Sequence, residues 1–474
     1  MKTEERSDNT RPTEESAPPC GEKDRRRDLS AAALGLLLVA AASAVGWAVQ
    51  NANGSLQVHW PPLLASWDPH IGPGTPAAVA VTAAVVAYGP GIADRLSWRR
   101  LLVAAWAGSL AWIVSLSLIE GWYRGIARRL TTKHEYLRVI DRFEDVPSAL
   151  RGFTDHILIG APGNWPAHVA GHPPGATLTF VGLDRVGLGG GGWAGVWCIV
   201  LGASGVPAVL IALRALAGEC LARRAAPFLV LAPFAVWTGT SADGYFAGVA
   251  AWSIALLALA ATGSTRLPRG TALGSGLLFG LTCYLSYGLT LMGVLLGTVL
   301  LLTRTARPVL PFLAGALVAP VAFTLAGFNW WEAYHLLVER YYQGAGGVRP
   351  YSYWVWGNLA CATLAAGLAT VAGLRRAVVA AAAPAGVRNL LPSRGSGTVT
   401  GGPCLALLVL AALLSIAAAD LSGMSKAETE RIWQPFILWL LPAAALLPRR
   451  DHRSWLAVQA VVALLINHFL WTGW

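Results

Sequence analysis

Apolar residues form long runs along this chain, and each run is bounded by charged residues, proline or glycine. Many runs approach the roughly 20 residues that a helix needs to cross a bilayer core. The pattern therefore predicts about 13 membrane-spanning helices, within a range of about 11 to 14. The predicted spans are 30–50, 76–93, 101–120, 191–214, 226–240, 245–262, 271–286, 288–304, 308–327, 354–374, 401–420, 433–447 and 453–472.

The composition supports this interpretation. Hydrophobic residues make up 55% of the chain and charged residues 13%, and the mean hydropathy is +0.52. Globular proteins contain about 25% charged residues, so a soluble multidomain enzyme is excluded. The predicted fold class is all-α, a polytopic transmembrane helix bundle. The six cysteines have no CxxC spacing and no cluster, so neither a disulfide framework nor a structural zinc site is predicted.

Two polar segments interrupt the apolar pattern. Residues 1–29 are polar and of mixed charge, and are predicted to form a disordered cytoplasmic tail before a single transmembrane domain, 30–474. Residues 121–190, called the long loop below, separate the third and fourth spans. Within it, 122–143 has apolar residues at helical spacing, which predicts an amphipathic helix on the membrane surface.

The distribution of positive charge predicts the orientation. With the N-terminus inside, 24 of the 36 Lys and Arg residues lie in inner segments. Eight of the remaining twelve lie in the long loop, which is too long for the positive-inside rule to apply strictly. We therefore expect a multi-pass protein of the cytoplasmic membrane with a cytoplasmic N-terminus and an external long loop.

Seven of the nine histidines, and many carboxylates, then fall on the outer side. Titratable side chains gathered on one face are typical of a functional surface, although outer loops are also simply polar. In the long loop, Thr131 or Thr132 fits a helix cap with Glu135 in the first turn. That carboxylate fits a general base and a capping group equally well. His168 and His172 follow, and Pro173 excludes a continuous helix through His172.

Three further outer segments carry candidate binding residues. Asp68 lies in the Pro- and Trp-rich segment 51–75, which fits a membrane interface or a catalytic loop. Segment 328–353 combines tyrosine and tryptophan with arginine, which suits a lipid-phosphate-sugar ligand and equally an aromatic membrane belt. Segment 420–436 is rich in charge, and its Ser425 and Glu428 fit a capping box at a helix start. The candidates from the last two segments are Arg340, Tyr342, Arg349, Lys426, Glu430 and Arg431.

These pieces, in this order, resemble the C-type (GT-C) glycosyltransferases, multispan enzymes that use polyprenyl-phosphate-linked sugars. In that superfamily the first long external loop opens with an acidic pair followed by tyrosine, and closes with a His/Lys-Pro-Pro segment. Here His134-Glu135-Tyr136 stands at the opening and His172-Pro173-Pro174 at the closing. The chain departs from the pattern because His134 occupies the first acidic position.

The resemblance implies an inverting transfer of a sugar, with mannose or arabinose favoured, from polyprenyl phosphate to a cell-envelope acceptor on the outer face. Glu135 is implied as the base, with Asp68 and Asp155 as alternatives. His134, Tyr136, His168 and His172 would then orient the donor or the acceptor, and arginine or lysine would bind the phosphate. Some relatives use a divalent cation, Mg or Mn, and the sequence does not decide this. The sequence contains neither a nucleotide-binding P-loop nor a dinucleotide-binding fingerprint, and no nucleic-acid partner is expected.

Two other classes of protein fit parts of the pattern. A multispan transporter or lipid-linked-sugar flippase also needs many spans with glycine-rich helices. However, the sequence shows no convincing internal repeat and almost no charge near mid-membrane apart from Asp243, which lies near the end of a predicted helix. A scaffold of the cell envelope explains the hydrophobicity but not the grouping of outer histidines, carboxylates and arginines.

Overall fold

The computed structural model describes residues 22–383 and 401–472, and this part of the chain is predominantly helical. Its α-helices are Glu22–Asn53, Thr75–Arg95, Trp98–Ser117, Val146–Arg151, Ala167–Gly171, Pro174–Arg185, Gly191–Ala217, Glu219–Val230, Ala235–Thr238, Ala242–Ala261, Pro268–Leu285, Gly293–Thr303, Val309–Ala316, Val318–Leu325, Trp330–Gln343, Ala345–Val348, Tyr351–Ala366, Leu368–Ala382, Gly402–Leu421, Thr429–Ile432, Gln434–Ile437 and His452–Phe469. Short 3₁₀ or π segments are Leu118–Glu120, Tyr123–Ala127, Arg129–Thr131, Tyr136–Phe143, Thr154–His156, Tyr287–Met292, Leu441–Leu446 and Arg449–Asp451. The strands are Ala65–Trp67 and Leu470–Thr472.

Six of the described helices are long and apolar enough to cross a membrane, or up to eight if each of two bent helix pairs is one span. The chain is therefore an all-α membrane bundle, but the count of 13 spans is not confirmed. The difference arises where predicted spans are broken. The predicted span 226–240, for example, is divided between Glu219–Val230 and Ala235–Thr238.

The core of the bundle forms around the helix Ala242–Ala261, which packs along Gly191–Ala217 and Pro268–Leu285. The close approach requires glycine at one crossing, because a Cβ at Gly248 would collide with the carbonyl oxygen of Leu201. Since most of the helix is buried, Ala242 and Asp243 at its start are held firmly by the packing around them.

The two strands join distant parts of the sequence in an antiparallel ladder, with Ser66 opposite Trp471. Trp67 is stacked between Trp60 and Phe469, at ring-centroid distances of 5.2 and 5.4 Å. Segment 51–75 is therefore fixed to the end of the last helix, on the same side of the bundle as the start of the long loop.

The long loop does not contain the continuous amphipathic helix that was predicted over 122–143. A π turn, a 3₁₀ turn and the 3₁₀ helix Tyr136–Phe143 take its place, and the backbone is extended at Thr132 and Glu135. The expected cap is also wrong, since Glu135 precedes the 3₁₀ helix and does not lie in its first turn. The apolar residues of the segment still face inward, because Tyr136, Val139 and Phe143 are buried. The apolar pattern was therefore sound, but tertiary packing determined the type of helix.

The N-terminal helix begins at Glu22, so the last eight residues of the predicted tail are helical. Residues 1–21 lie outside the described residues. The buried Asp28 accepts hydrogen bonds from Arg376 and pairs with Arg375 at 3.0 Å. These contacts attach the first helix to Leu368–Ala382.

Candidate active site

A buried carboxylate–imidazole pair forms the centre of the candidate site. Glu135 is 1% exposed, and its Oε1 lies 2.8 Å from Nδ1 of His168. The other carboxylate oxygen, Oε2, is buried and has no hydrogen-bond partner within 22–383 and 401–472. A carboxylate with one oxygen held and the other available can accept a proton from a bound group.

The two ends of the long loop are connected at this pair. The backbone N–H of His168 donates to the carbonyl of His134 at 3.0 Å, and the N–H of Glu135 donates to the carbonyl of Thr132 at 3.1 Å. Tyr136 packs on Phe180 at a centroid distance of 5.3 Å. The His-Glu-Tyr and His-Pro-Pro motifs, which are far apart in sequence, therefore meet in space.

His172 supports this arrangement through its contacts with His168 and Tyr136. The helix Ala167–Gly171 ends before it and the next helix begins at Pro174, which confirms the break predicted from the two prolines. Nδ1 of His172 lies 2.7 Å from the carbonyl of His168 and 3.0 Å from the hydroxyl of Tyr136. Because a carbonyl can only accept, Nδ1 carries the proton and donates it. Burial lowers the pKa of His172 from 6.5 to about 4, so the ring is neutral at physiological pH.

A second buried cluster lies beside the first. Nη1 of Arg431 lies 2.5 Å from Oδ2 of Asp243, and Nη2 lies 3.1 Å from Oε2 of Glu428. Glu428 also pairs with Arg349 at 3.5 Å, and the Ser241 hydroxyl donates to Asp243 at 2.9 Å. Each buried charge in this cluster therefore lies next to a charge of opposite sign, which offsets the cost of burying it.

The backbone of Glu428 has φ of 63°, a left-handed conformation that few residues other than glycine adopt. The predicted capping box of Ser425 and Glu428 is therefore wrong, since the Glu428 carboxylate binds arginine and not a backbone N–H. Burial raises the pKa of Glu428, but Arg431 and Arg349 lower it more, and the net pKa is below the usual value. Burial likewise lowers the pKa of Arg431, but Asp243 and Glu428 raise it above its ordinary value.

A small cavity lies where the long loop meets the bundle. Its lining includes Glu135, Tyr136, His168, Ser241, Arg431 and Arg129. Arg129 is 8% exposed, and its Nη1 donates to the carbonyl of Thr472 at 2.9 Å. Its Nε is buried and has no hydrogen-bond partner among the residues that the structure describes. Burial lowers the pKa of Arg129 to about 10, which still leaves it charged at neutral pH. The cavity thus combines an available carboxylate oxygen with cationic groups.

The two alternative bases lie elsewhere. Asp68 is 46% exposed and lies 3.5 Å from Nη2 of Arg124, and Asp155 is exposed in the long loop. Neither residue lines the cavity that contains Glu135. The structure therefore separates these three carboxylates.

Several predicted binding residues contact other protein groups. Arg340 donates to the carbonyls of Ile157 and Trp165 at 3.0 and 3.1 Å, and thus attaches the long loop to Trp330–Gln343. Lys426 donates to the carbonyl of Gly346 at 2.7 Å, near the half-exposed ring of Tyr342.

Glu430 is another predicted binding residue that lies away from the cavity surface. It is completely buried next to the thiol of Cys361, and burial raises its pKa to about 7. Arg349 donates to the carbonyls of Leu56 and Lys426 in addition to its pairing with Glu428. The side chain of His134 is largely exposed, and its carbonyl accepts the hydrogen bond from His168. Partial desolvation of the ring, together with His168 and Lys133, lowers the pKa of His134.

Sequence reasoning missed Arg129, Asp243 and Glu428 as site residues. Asp243 had a signal, because it is the only charged residue between 225 and 262. Arg129 and Glu428 stood among other charged residues and had no distinguishing local pattern.

The resemblance leaves a divalent cation open, so the arrangement of possible metal ligands matters. Within the two described ranges, no group of three or more His, Cys, Asp or Glu side chains is arranged to hold a metal ion. The near contacts of Glu135 and His168 place a carboxylate and one ring nitrogen together, which is fewer than the ligands of a typical protein metal site.

No protein-family model matches the sequence, and no curated protein is significantly similar to it. Among solved structures, an oligosaccharyltransferase of Archaeoglobus fulgidus in complex with Zn and sulfate is similar, with a TM-score of 0.45 and 13% identity. The alignment covers 78% of this chain and 53% of that one, so the chain spans about half the length of that protein. A TM-score of this size does not establish a common fold.

Proposed function

We propose that the protein is an integral membrane glycosyltransferase that transfers a sugar from a polyprenyl-phosphate donor to a hydroxyl of a cell-envelope acceptor. The observation that carries the proposal is the available oxygen of the buried Glu135 in a cavity that Arg129 and Arg431 also line. Transfer from a phosphate leaving group needs a base for the acceptor and positive charge for the departing phosphate. Both types of group border this cavity.

In the proposed reaction, Glu135 Oε2 accepts the proton of the acceptor hydroxyl. The acceptor oxygen forms a bond to the anomeric carbon from one side, and the bond from that carbon to the phosphate oxygen breaks on the other side. The electron pair leaves with polyprenyl phosphate, and the configuration at the anomeric carbon is inverted. His168 holds Oε1 at 2.8 Å and thereby directs Oε2 into the cavity.

Arg129 is the arginine best suited to the phosphate. Its Nε has no protein partner within the described ranges, whereas Arg431 already contacts two carboxylates. The predicted phosphate ligands Arg340, Arg349 and Lys426 all donate to backbone carbonyls. Arginine binds phosphate through a fork of donors, so Arg129 would need to expose only one edge of its guanidinium group.

Two further predicted residues would hold the catalytic groups in place without contacting the reacting atoms. Tyr136 and His172 support the two motifs that carry Glu135 and His168. We place the cavity on the outer face of the cytoplasmic membrane because the positive charges indicate that orientation. Mannose and arabinose are the sugars that the sequence resemblance favours, and the lipid tail would lie in the bilayer beside the bundle.

The test is sugar transfer by membranes that contain wild type, Glu135→Gln or the matched control Glu144→Gln, an exposed carboxylate of the same loop. Radiolabelled polyprenyl-phosphate mannose and arabinose serve as separate donors. A general base contributes about 10²- to 10⁴-fold in rate, so Glu135→Gln should lose transfer at normal abundance while Glu144→Gln retains it.

The rival bases are tested in the same assay as Asp68→Asn and Asp155→Asn. Loss of transfer in one of these variants, with activity retained in Glu135→Gln, would move the base to that residue. If wild type transfers neither sugar but moves the labelled lipid across the bilayer of reconstituted vesicles, a flippase replaces the glycosyltransferase.

A further inference from the structure

A second cavity lies directly behind the first. Its polar lining consists of Ser117, Glu120, Arg129, Thr240 and Asn467. Arg129 and Thr240 line both cavities and form the wall between them. Each cavity has room for about one water molecule.

Buried polar atoms without partners occur along these two cavities. They are Oε2 of Glu135 and Nε of Arg129, neither of which has a hydrogen-bond partner in the described part of the chain. Oε2 of Glu120 lies 3.2 Å from Nε of Arg124 but likewise lacks a well-aligned hydrogen bond within the described residues. A buried water usually makes about three hydrogen bonds to polar groups of this kind. One water in each cavity would connect Glu135 to Glu120 through the Thr240 hydroxyl. That hydroxyl donates to the carbonyl of Gly125 at 3.2 Å in the structure, and it would rotate toward a water to pass a proton.

Glu120 leads from the second cavity toward the surface. Its side chain is 5% exposed, and its Oε1 lies 3.2 Å from Nε2 of His70, which is 20% exposed. Nδ1 of His70 lies 2.6 Å from the carbonyl of Asp68. Since that carbonyl can only accept, Nδ1 carries the proton, and Nε2 of the neutral ring is available to receive another.

The charged groups that face Glu120 come from two further segments. Nε of Arg124, in the turn Tyr123–Ala127, lies 3.2 Å from Oε2, and the Arg124 side chain is 46% exposed. Arg129 lies on the cavity side. Glu120 is thus a buried carboxylate between an internal cavity and a histidine that reaches the surface.

From this arrangement we infer that Glu120 and His70 form the exit path for the proton that Glu135 removes from the acceptor. The inference rests on the proposed function. After the products leave and a water enters the first cavity, the proton would pass from Glu135 through the two waters and the Thr240 hydroxyl to Glu120. It would then pass to Nε2 of His70, which releases it to solvent. Each carrier gives up one proton for each that it receives, so Glu135 is ionised again for the next turnover. Glu120 and His70 are positioning and relay residues, since neither contacts the reacting atoms.

The experiment measures kcat, KM and the solvent isotope effect of sugar transfer for wild type and Glu120→Gln. Glutamine has the size of glutamate but lacks its protonation equilibrium. The matched control is Glu219→Gln, because Glu219 also pairs with two arginines, Arg214 and Arg223, but contacts neither cavity. Glu120→Asp retains a titratable group, and thermal unfolding of each variant reports on folding.

We expect Glu120→Gln to lower kcat about tenfold, less than the loss of the base itself, with KM unchanged and a larger solvent isotope effect. Glu120→Asp should recover part of kcat, and Glu219→Gln should match wild type. The relay would be overturned if Glu120→Gln kept the wild-type kcat. It would also be overturned if kcat fell with an unchanged solvent isotope effect, or if Glu120→Asp recovered none of the lost kcat. If Glu135→Gln still loses transfer in those cases, the proposed function survives. Absence of transfer by wild type with both donors would overturn both.

Discussion

Two buried ionic clusters lie side by side in the candidate site, and they differ in how completely their charges are paired. In the first, His168 holds one oxygen of Glu135, and the other oxygen has no partner among the described residues. In the second, Asp243 and Glu428 bind the two terminal nitrogens of Arg431, and each has a further partner. The first cluster retains an acceptor, whereas the second uses its acceptors internally.

This difference assigns different roles to the two clusters. A buried charge whose contacts are all within the protein is costly to disturb but offers little to a substrate. A buried carboxylate with one available oxygen can bind and remove a proton. We therefore expect changes in the second cluster to affect mainly stability, and changes in the first to affect mainly rate.

The largest effect is expected for Arg431→Gln, which leaves Asp243 and Glu428 without their shared cation. Breaking a buried ion pair on one side costs about 3–5 kcal/mol in the free energy of unfolding. Thermal unfolding in detergent micelles measures the loss, and the double variant Asp243→Asn/Arg431→Gln should recover part of it.

The control for this experiment is Arg340→Gln. Arg340 donates to two backbone carbonyls and forms no ion pair with a carboxylate in residues 22–383 and 401–472, so its loss should cost only about 1–3 kcal/mol. If Arg431→Gln were at least as stable as Arg340→Gln, the second cluster would not make the expected contribution to the free energy of unfolding.

A smaller effect is expected for Glu135→Asp, which keeps the carboxylate but withdraws it by one methylene group. Misplacement of a catalytic group by about 1 Å can cost about 10²-fold in rate, so transfer should fall between wild type and Glu135→Gln. Initial rates with the preferred donor provide the measurement. Wild-type activity in this variant, at equal abundance, would mean that the position of the carboxylate does not matter to the reaction.

The smallest effect concerns acid stability and His172. The pKa of His172 is about 4 in the folded protein and 6.5 in an unperturbed histidine, so the unfolded chain binds more protons between these values. Stability should therefore fall as pH decreases from 6.5 to 4. His172→Asn, which keeps a donor for the His168 carbonyl, should lose less stability over this window.

The control is His156→Asn, because Nδ1 of His156 also lies near a carbonyl, that of Pro162 at 2.7 Å, but at a more exposed position. Its melting temperature should follow that of wild type over the same pH range. An identical acid response in His172→Asn and wild type would contradict the proposed neutral state of His172.

The sequence predicted the motifs of the first cluster because they are local. His134-Glu135-Tyr136 and His172-Pro173-Pro174 can each be read within three residues, and the prolines correctly predict the break at His172. The second cluster was not predicted, since Asp243 and Arg431 are 188 residues apart and only packing brings them together.

The partners of long cationic side chains also could not be predicted from the sequence. Arg340 is in a segment that suits phosphate binding, but its guanidinium group contacts backbone carbonyls of the long loop. Hydropathy likewise could not determine where apolar segments break, as at 226–240, because broken and continuous helices have the same composition. The fold class was therefore predictable, whereas the number of spans and the exact neighbours of each charge were not.

We propose that Glu135 acts in the chemical step, whereas the neighbouring Glu428 acts in structure. Transfer rate per folded molecule and melting temperature, measured together for Glu135→Gln and Glu428→Gln, test it most directly. We expect Glu135→Gln to lose about 10²- to 10⁴-fold in rate with little change in melting temperature, and Glu428→Gln to melt earlier but keep most of its rate. The reverse pattern, or equal loss of rate in both variants, would contradict the account.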